Sequence, residues 1–337
     1  MSAPFINPFE ESSFTSRRAT IPPPANDLDV DVSIFYRHFV PTSANKSALP
    51  IVLLHGHPQT HVIWSSIAPA LAANGQWEIV VPDNRGNGES SAPDAKNEEV
   101  YSRYSKREMA RDVVEVMKQL GHEKFYVVAH DRGARIAHRL ALDWPNKVIK
   151  MILLDIAPTL DMYEKTDHAF ATAYWHWFFL LQPDLPEAFI SANPQAYLHA
   201  LVTRFPRTSP SSKTSSSSSS SASSSTAVED WRTTSYLNNL SRLPTITAMC
   251  EDYRASAPSG PDLALDRKDR QEGSKIQCPI RVFWGKAGII QAMYEGGKDL
   301  WQACCHHKVE GEQIDCGHYI PEEAPERVLA EIEAFFP

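Results

Sequence analysis

The segment A-H-D-R-G at 129–133 sets an aspartate between small residues, where the apolar run F-Y-V-V-A (125–129) gives way to a helical stretch. Small flanking side chains fit a sharp strand-to-helix turn that lifts its central residue into a cleft as a nucleophile. Here that residue is Asp131, neither serine nor cysteine. A carboxylate attacks a carbonyl poorly but suits displacement at a saturated carbon, forming an alkyl ester. The plainer alternative is that Asp131 only N-caps the following helix. An ester on Asp131 must be hydrolysed, which calls for a base. His318, in G-H-Y-I-P-E-E-A-P-E before a terminal amphipathic stretch, stands where the late histidine of a nucleophile–acid–histidine order belongs.

An acid should orient that histidine and stabilise its protonated form. The usual place, after the penultimate strand, reads G-K-A-G-I-I-Q and holds no Asp or Glu. Asp155, at the end of the preceding apolar run and 24 residues after Asp131, takes the role instead; the alternative is a turn-forming aspartate before proline. The oxyanion of the ester's hydrolysis needs donors, and the backbone N–H groups of His57 (in H-G-H-P, 55–58) and Arg132 are expected to supply them. Arg132 and Arg135 lie three apart at the start of the helix, so both can lean toward the cleft. Guanidinium forks hold a planar carboxylate, which points to an anionic small-molecule substrate; pairing with a lid acid is the competing reading.

These residues need a scaffold that brings their loops together. Continuous apolar runs at 51–54, 79–81, 125–129, 151–154 and 280–284 alternate with helical stretches at 107–120 and 136–144. Such runs indicate a mostly parallel central sheet flanked by helices on both faces, an α/β fold. Its ligand belongs beyond the carboxyl ends of the strands, where every motif above falls. The alternation of Val30, Val32 and Ile34, followed by Tyr36 and Phe39, reads as an antiparallel edge hairpin after a polar N-terminal tail.

From about 158 to 262 the pattern changes to clustered aromatics and prolines, read as a helical cap (lid) between core segments 1–157 and 263–337. Within it, thirteen of the eighteen residues from Ser209 to Thr226 are serine. That composition predicts a disordered insertion at about 207–228, because it has no apolar area to offset its ordering entropy. The net charge of −8 and the lack of a basic stretch exclude a nucleic-acid partner. No apolar run is long enough for a membrane span. The five cysteines show no metal-ligand spacing, and the N-terminus shows no export signal, so a cytoplasmic protein with free thiols is expected.

Taken together, H-G-H-P-Q-T-H, D-N-R-G-N-G-E-S, H-D-R-G-A-R, D-I-A-P-T, Y-W-H-W-F-F, M-C-E-D-Y-R-A and G-H-Y-I-P-E-E-A-P-E resemble the fluoroacetate (haloacetate) dehalogenases. These are α/β-hydrolase-fold enzymes related to epoxide hydrolases. The resemblance runs from about residue 20 to the C-terminus. It implies Asp131 as nucleophile, His318 as base, Asp155 as acid, and Arg132 and Arg135 on the substrate carboxylate. It further implies His176, Trp177 and Tyr253 around the leaving halide, no cofactor or metal, and a homodimer. His57 and Asn87 stand where much of the family has Phe and Tyr, which bears on substrate preference. Hydrolysis of a short 2-haloacid to the 2-hydroxy acid is therefore expected. The rivals are an epoxide hydrolase with the same nucleophile, whose second lid tyrosine could only be Tyr174, and a non-catalytic binder.

Overall fold

A computed structural model describes residues 7–23, 31–42, 49–94, 101–203 and 222–337, the side chains of 222–230 excepted. Strands β1 (Thr15–Ile21), β2 (Val32–Phe39), β3 (Ile51–Leu54), β4 (Ile79–Pro82), β5 (Phe125–His130), β6 (Val148–Leu154), β7 (Ile280–Gly285) and β8 (Gln313–Ile314) form one sheet. Their order is β1-β2-β4-β3-β5-β6-β7-β8. β2 runs antiparallel to both β1 and β4; every other pairing is parallel. The five apolar runs are β3 to β7. Successive residues point to opposite faces, and both faces are buried: Ile51 and Leu53 join one apolar cluster, Val52 and Leu54 the other.

Helices cover the two faces. Lys106–Gln119 and Arg132–Asp143 pack Met109, Val113, Ile136 and Leu140 into one cluster. Ala68–Asn74 and Pro325–Phe335 pack Leu71, Val328 and Ile332 into the other. The register matters most for function. Leu54 lies beside Ala129, His130 beside Leu154, and Leu154 beside Phe283. The loops leaving β3, β5, β6 and β7 therefore emerge side by side.

Two expectations need correction. Val32–Phe39 is one strand rather than a hairpin, and its outer partner β1 comes from the stretch read as a polar tail. Arg17 and Arg18 hid that strand, because an edge strand buries little; only Ala19 and Ile21 of β1 are buried. Phe9, in the short helix Pro8–Glu11, is also fully buried.

Between β6 and β7 lie the helices Thr159–Glu164, His168–Ala173, Trp175–Leu180, Leu185–Ala192, Pro194–Thr203, Ala222–Leu240 and Leu243–Ala255, followed by Pro261–Glu272. Phe170, Trp177, Tyr197, Leu240 and Ile246 extend the first apolar cluster into this region. Residues 204–221, most of the serine-rich stretch, lie outside the described residues. From Ala222 the backbone is helical, and most of the insertion expected at about 207–228 falls outside the described residues. The long helix is tied to the core: Arg232 donates to Ser65 Oγ (3.0 Å) and Ser66 Oγ (2.6 Å), and Tyr236 donates to Glu322 (2.5 Å). No helix among the described residues is long and apolar enough to cross a membrane.

Candidate active site

Asp131 sits between β5 and the helix Arg132–Asp143 with φ 48° and ψ −117°, a left-handed backbone that a non-glycine residue rarely adopts. The turn is held by neighbours that lack side chains. A Cβ on Gly133 would lie 2.5 Å from the His55 carbonyl oxygen and 2.6 Å from that of Leu54. One on Gly56 would lie 2.5 Å from the Asp131 Cβ. The Asp131 side chain makes no capping bond, which removes the N-cap alternative. Its Oδ1 instead accepts the His57 N–H at 2.9 Å. Burial works to raise the Asp131 pKa, but the His318 imidazole, the His57 N–H and the Arg135 cation outweigh it. The carboxyl is held well below the usual range and is ionised. The Arg132 N–H, at the first helical position, has no partner within its own helix.

Asp155 closes β6 at φ 49°, the counterpart of Asp131 one strand over. Its Oδ1 accepts the Gly285 N–H at 2.9 Å, and its Oδ2 lies 2.5 Å from His318 Nδ1. The far ring nitrogen, Nε2, is 3.9 Å from Asp131 Oδ2. His318 is thus oriented by one carboxylate and faces the other. His130 packs 4.8 Å from the His318 ring and bonds its carbonyl oxygen (Nε2 to O 2.8 Å). Burial, with the His318 charge beside it, lowers the His130 pKa to about 3, so this ring stays neutral.

The two arginines separate. Arg132 forks onto Asp252 of the helix Leu243–Ala255: Nε to Oδ2 is 2.9 Å and Nη2 to Oδ1 is 2.8 Å. Its guanidinium also lies 4.0 Å over the Tyr253 ring. Arg135, 3% exposed, meets no carboxylate among the described residues. It donates to the Thr159 hydroxyl and to Met162 Sδ (3.3 Å), stacks 4.7 Å over Trp177, and leaves Nε buried without a partner. Burial and the adjacent Arg132 pull its pKa down, as for a cation short of a counter-ion.

His176, Trp177 and Tyr253 come together: the His176 and Tyr253 rings are 5.7 Å apart, and those of Trp177 and Tyr253 6.4 Å. Trp177 packs as well on Phe170 and Tyr174, so it serves the apolar interior and the cleft at once. His57 lies parallel to His176 at 6.2 Å, and its Nε2 is 3.0 Å from the Tyr197 hydroxyl. Asn87 stays at the rim, 3.5 Å from the Asn239 amide.

Sequence reasoning missed Asp252, Lys106, Tyr197, Thr159 and Met162. Asp252 immediately precedes Tyr253, and Thr159 closes the motif D-I-A-P-T that begins at Asp155; nothing local marks Lys106, Tyr197 and Met162.

The α/β-hydrolase fold family model matches residues 50–325. The chain is 37% identical to a fluoroacetate dehalogenase of Burkholderia sp over 246 residues, 73% of either chain. It is 29% identical to a soluble epoxide hydrolase of Corynebacterium sp. (strain C12), spanning 86% of this chain and 91% of that one. Among solved structures, an α/β-hydrolase crystal structure from Nostoc sp PCC 7120 superposes with a TM-score of 0.81 at 41% identity, covering 96% of this chain and 98% of the other.

Proposed function

Because this chain belongs to the α/β-hydrolase family, in the branch that holds fluoroacetate dehalogenases and epoxide hydrolases, we propose that it hydrolyses short 2-haloacids to 2-hydroxy acids. The observation that carries this reading is Arg135, a fully buried cation with no carboxylate partner among the described residues and an orphaned Nε. A buried charge without a counter-ion is costly, and an anionic substrate supplies the missing one. Epoxides bring no such charge.

Asp131 Oδ1 is held by the His57 N–H, which leaves Oδ2 to attack the α-carbon. As the new C–O bond forms, the carbon–halogen bond breaks and halide departs with its electron pair toward His176, Trp177 and Tyr253. Imidazole, indole and phenol donors suit a compact anion. His318 Nε2 then takes a proton from water, whose oxygen attacks the Asp131 carboxyl carbon. The His57 and Arg132 N–H groups stabilise the oxyanion, and Asp155 stabilises the imidazolium. Collapse releases the hydroxy acid with the proton from His318, and Asp131 returns to its carboxylate as the remaining water proton leaves to solvent. Residues of the 158–262 cap close this cleft over the strand ends.

Halide release from fluoro-, chloro- and bromoacetate tests the reaction, and a single turnover in heavy-oxygen water should label Asp131. Active enzyme with unlabelled Asp131 would sink the ester route. A second reading, epoxide opening, gains from Tyr197, a lid tyrosine that shares His57 with Tyr253. Arg135→Met separates the two: haloacetate turnover should fall roughly tenfold further than turnover of styrene oxide.

A further inference from the structure

We infer that Lys106 is a positioning residue for an anionic ligand: its buried ammonium shares Asp252 with Arg132, so that the Lys106–Asp252–Arg132 group keeps a net positive charge beside the incoming anion. The inference rests on the carboxylate-binding reading of Arg132 and Arg135. Lys106 is 3% exposed and opens the helix Lys106–Gln119. Neither feature favours a cation, since burial strips its hydration and a helix N-terminus is itself positive. A purely structural filler at this position would be apolar. Instead the ammonium bonds Asp252 Oδ1, the oxygen that also receives Arg132 Nη2.

The surroundings form one closed network. The Lys106 N–H donates to Asp262 Oδ1 at 2.9 Å, the Ser256 hydroxyl to Asp262 Oδ2 at 2.8 Å, and Arg132 Nη2 to Ser256 Oγ at 3.0 Å. Within this network Lys106 and Arg132 balance Asp252 and Asp262. Without the Lys106 charge, Asp252 and Arg132 form a neutral fork. A ligand carboxylate then enters a pocket that is already net negative. Burial and the Arg132 charge also hold the Lys106 pKa well below that of free lysine, against the pull of Asp262.

Equilibrium titration with acetate, an anion without a leaving group, tests this, with acetamide as the neutral control. Lys106→Met should weaken acetate roughly tenfold and leave acetamide within about twofold. Lys106→Arg should restore acetate binding at pH 7. Wild-type affinity should fall on the alkaline side, facing Arg132, Arg135, Asp131, Asp252 and Asp262, whereas the Lys106→Arg variant should show no such fall. Adding Asp252→Asn to Lys106→Met removes the charge to be neutralised and should also recover acetate affinity. Unchanged acetate affinity in Lys106→Met overturns the inference, as does equal weakening of acetate and acetamide. Wild-type enzyme that binds acetate and shows the Lys106→Met loss, yet releases no halide, upholds the inference and refutes dehalogenation. Halide release with an unaltered Lys106→Met titration does the reverse.

Discussion

Replacing Asp131 by asparagine keeps the side-chain volume and removes the negative charge on which His57, His318 and Arg135 converge. Halide release from chloroacetate should drop by roughly a thousandfold or more, with the unfolding transition still cooperative. Asp155→Asn acts one bond further away. It leaves His318 in place but takes the charge from its Nδ1 partner, so in the proposed mechanism the imidazolium formed during ester hydrolysis loses its stabiliser. Its kcat should fall by about 10³ to 10⁴, and the ester on Asp131 should accumulate. Mass spectrometry of the quenched enzyme would detect that adduct. An Asp155→Asn enzyme with wild-type kcat would remove Asp155 from the reaction.

The strands and turns set how closely those residues can approach. Gly133 lets the helix Arg132–Asp143 sit against the end of β3, and a methyl there meets two backbone oxygens that cannot move aside. Gly133→Ala should cost about 3 kcal/mol by urea unfolding and displace Asp131 as well. Asp83, after β4, is fully buried and ties the segments after β3 and β4 together through the His61 N–H (2.7 Å), His61 Nδ1 (2.9 Å) and Glu89 N–H (2.9 Å). Burial would raise its pKa, but His61 outweighs it and brings the value to about 2. A carboxyl whose folded pKa lies below its unfolded value of about 3.9 binds fewer protons in the native state. Its stabilisation is complete above pH 4 and is lost as pH falls toward 2. Asp83→Asn should therefore be less stable at neutral pH by about 2–3 kcal/mol. It should also flatten the acid end of the stability curve, as read by urea unfolding at a series of pH values.

At the scale of the whole molecule, a net charge of −8 gives no long-range attraction for an anion. Under the proposed reading, recognition of an anionic substrate is therefore local, at a buried guanidinium that mobile ions do not reach. Raising salt from 20 to 200 mM should leave the chloroacetate KM within about threefold; a tenfold rise would mean that exposed charges steer the substrate instead. The five parallel strands could be read from apolar runs, the turns holding Asp131 and Asp155 from the ends of β5 and β6, and the loop holding His318 from the amphipathic stretch after it, because such features are built by neighbours in the chain. β1 escaped, since an edge strand carries charged residues and needs its partner to be recognised. The sequence by itself determined an α/β-hydrolase fold with an aspartate at its elbow, for the same local reason. Only the tertiary structure decided which arginine is free. Asp252, 120 residues beyond Arg132, folds back onto it and leaves Arg135 without a carboxylate among the described residues. Charge pairing depends on distance in space, and no spacing along the chain encodes it.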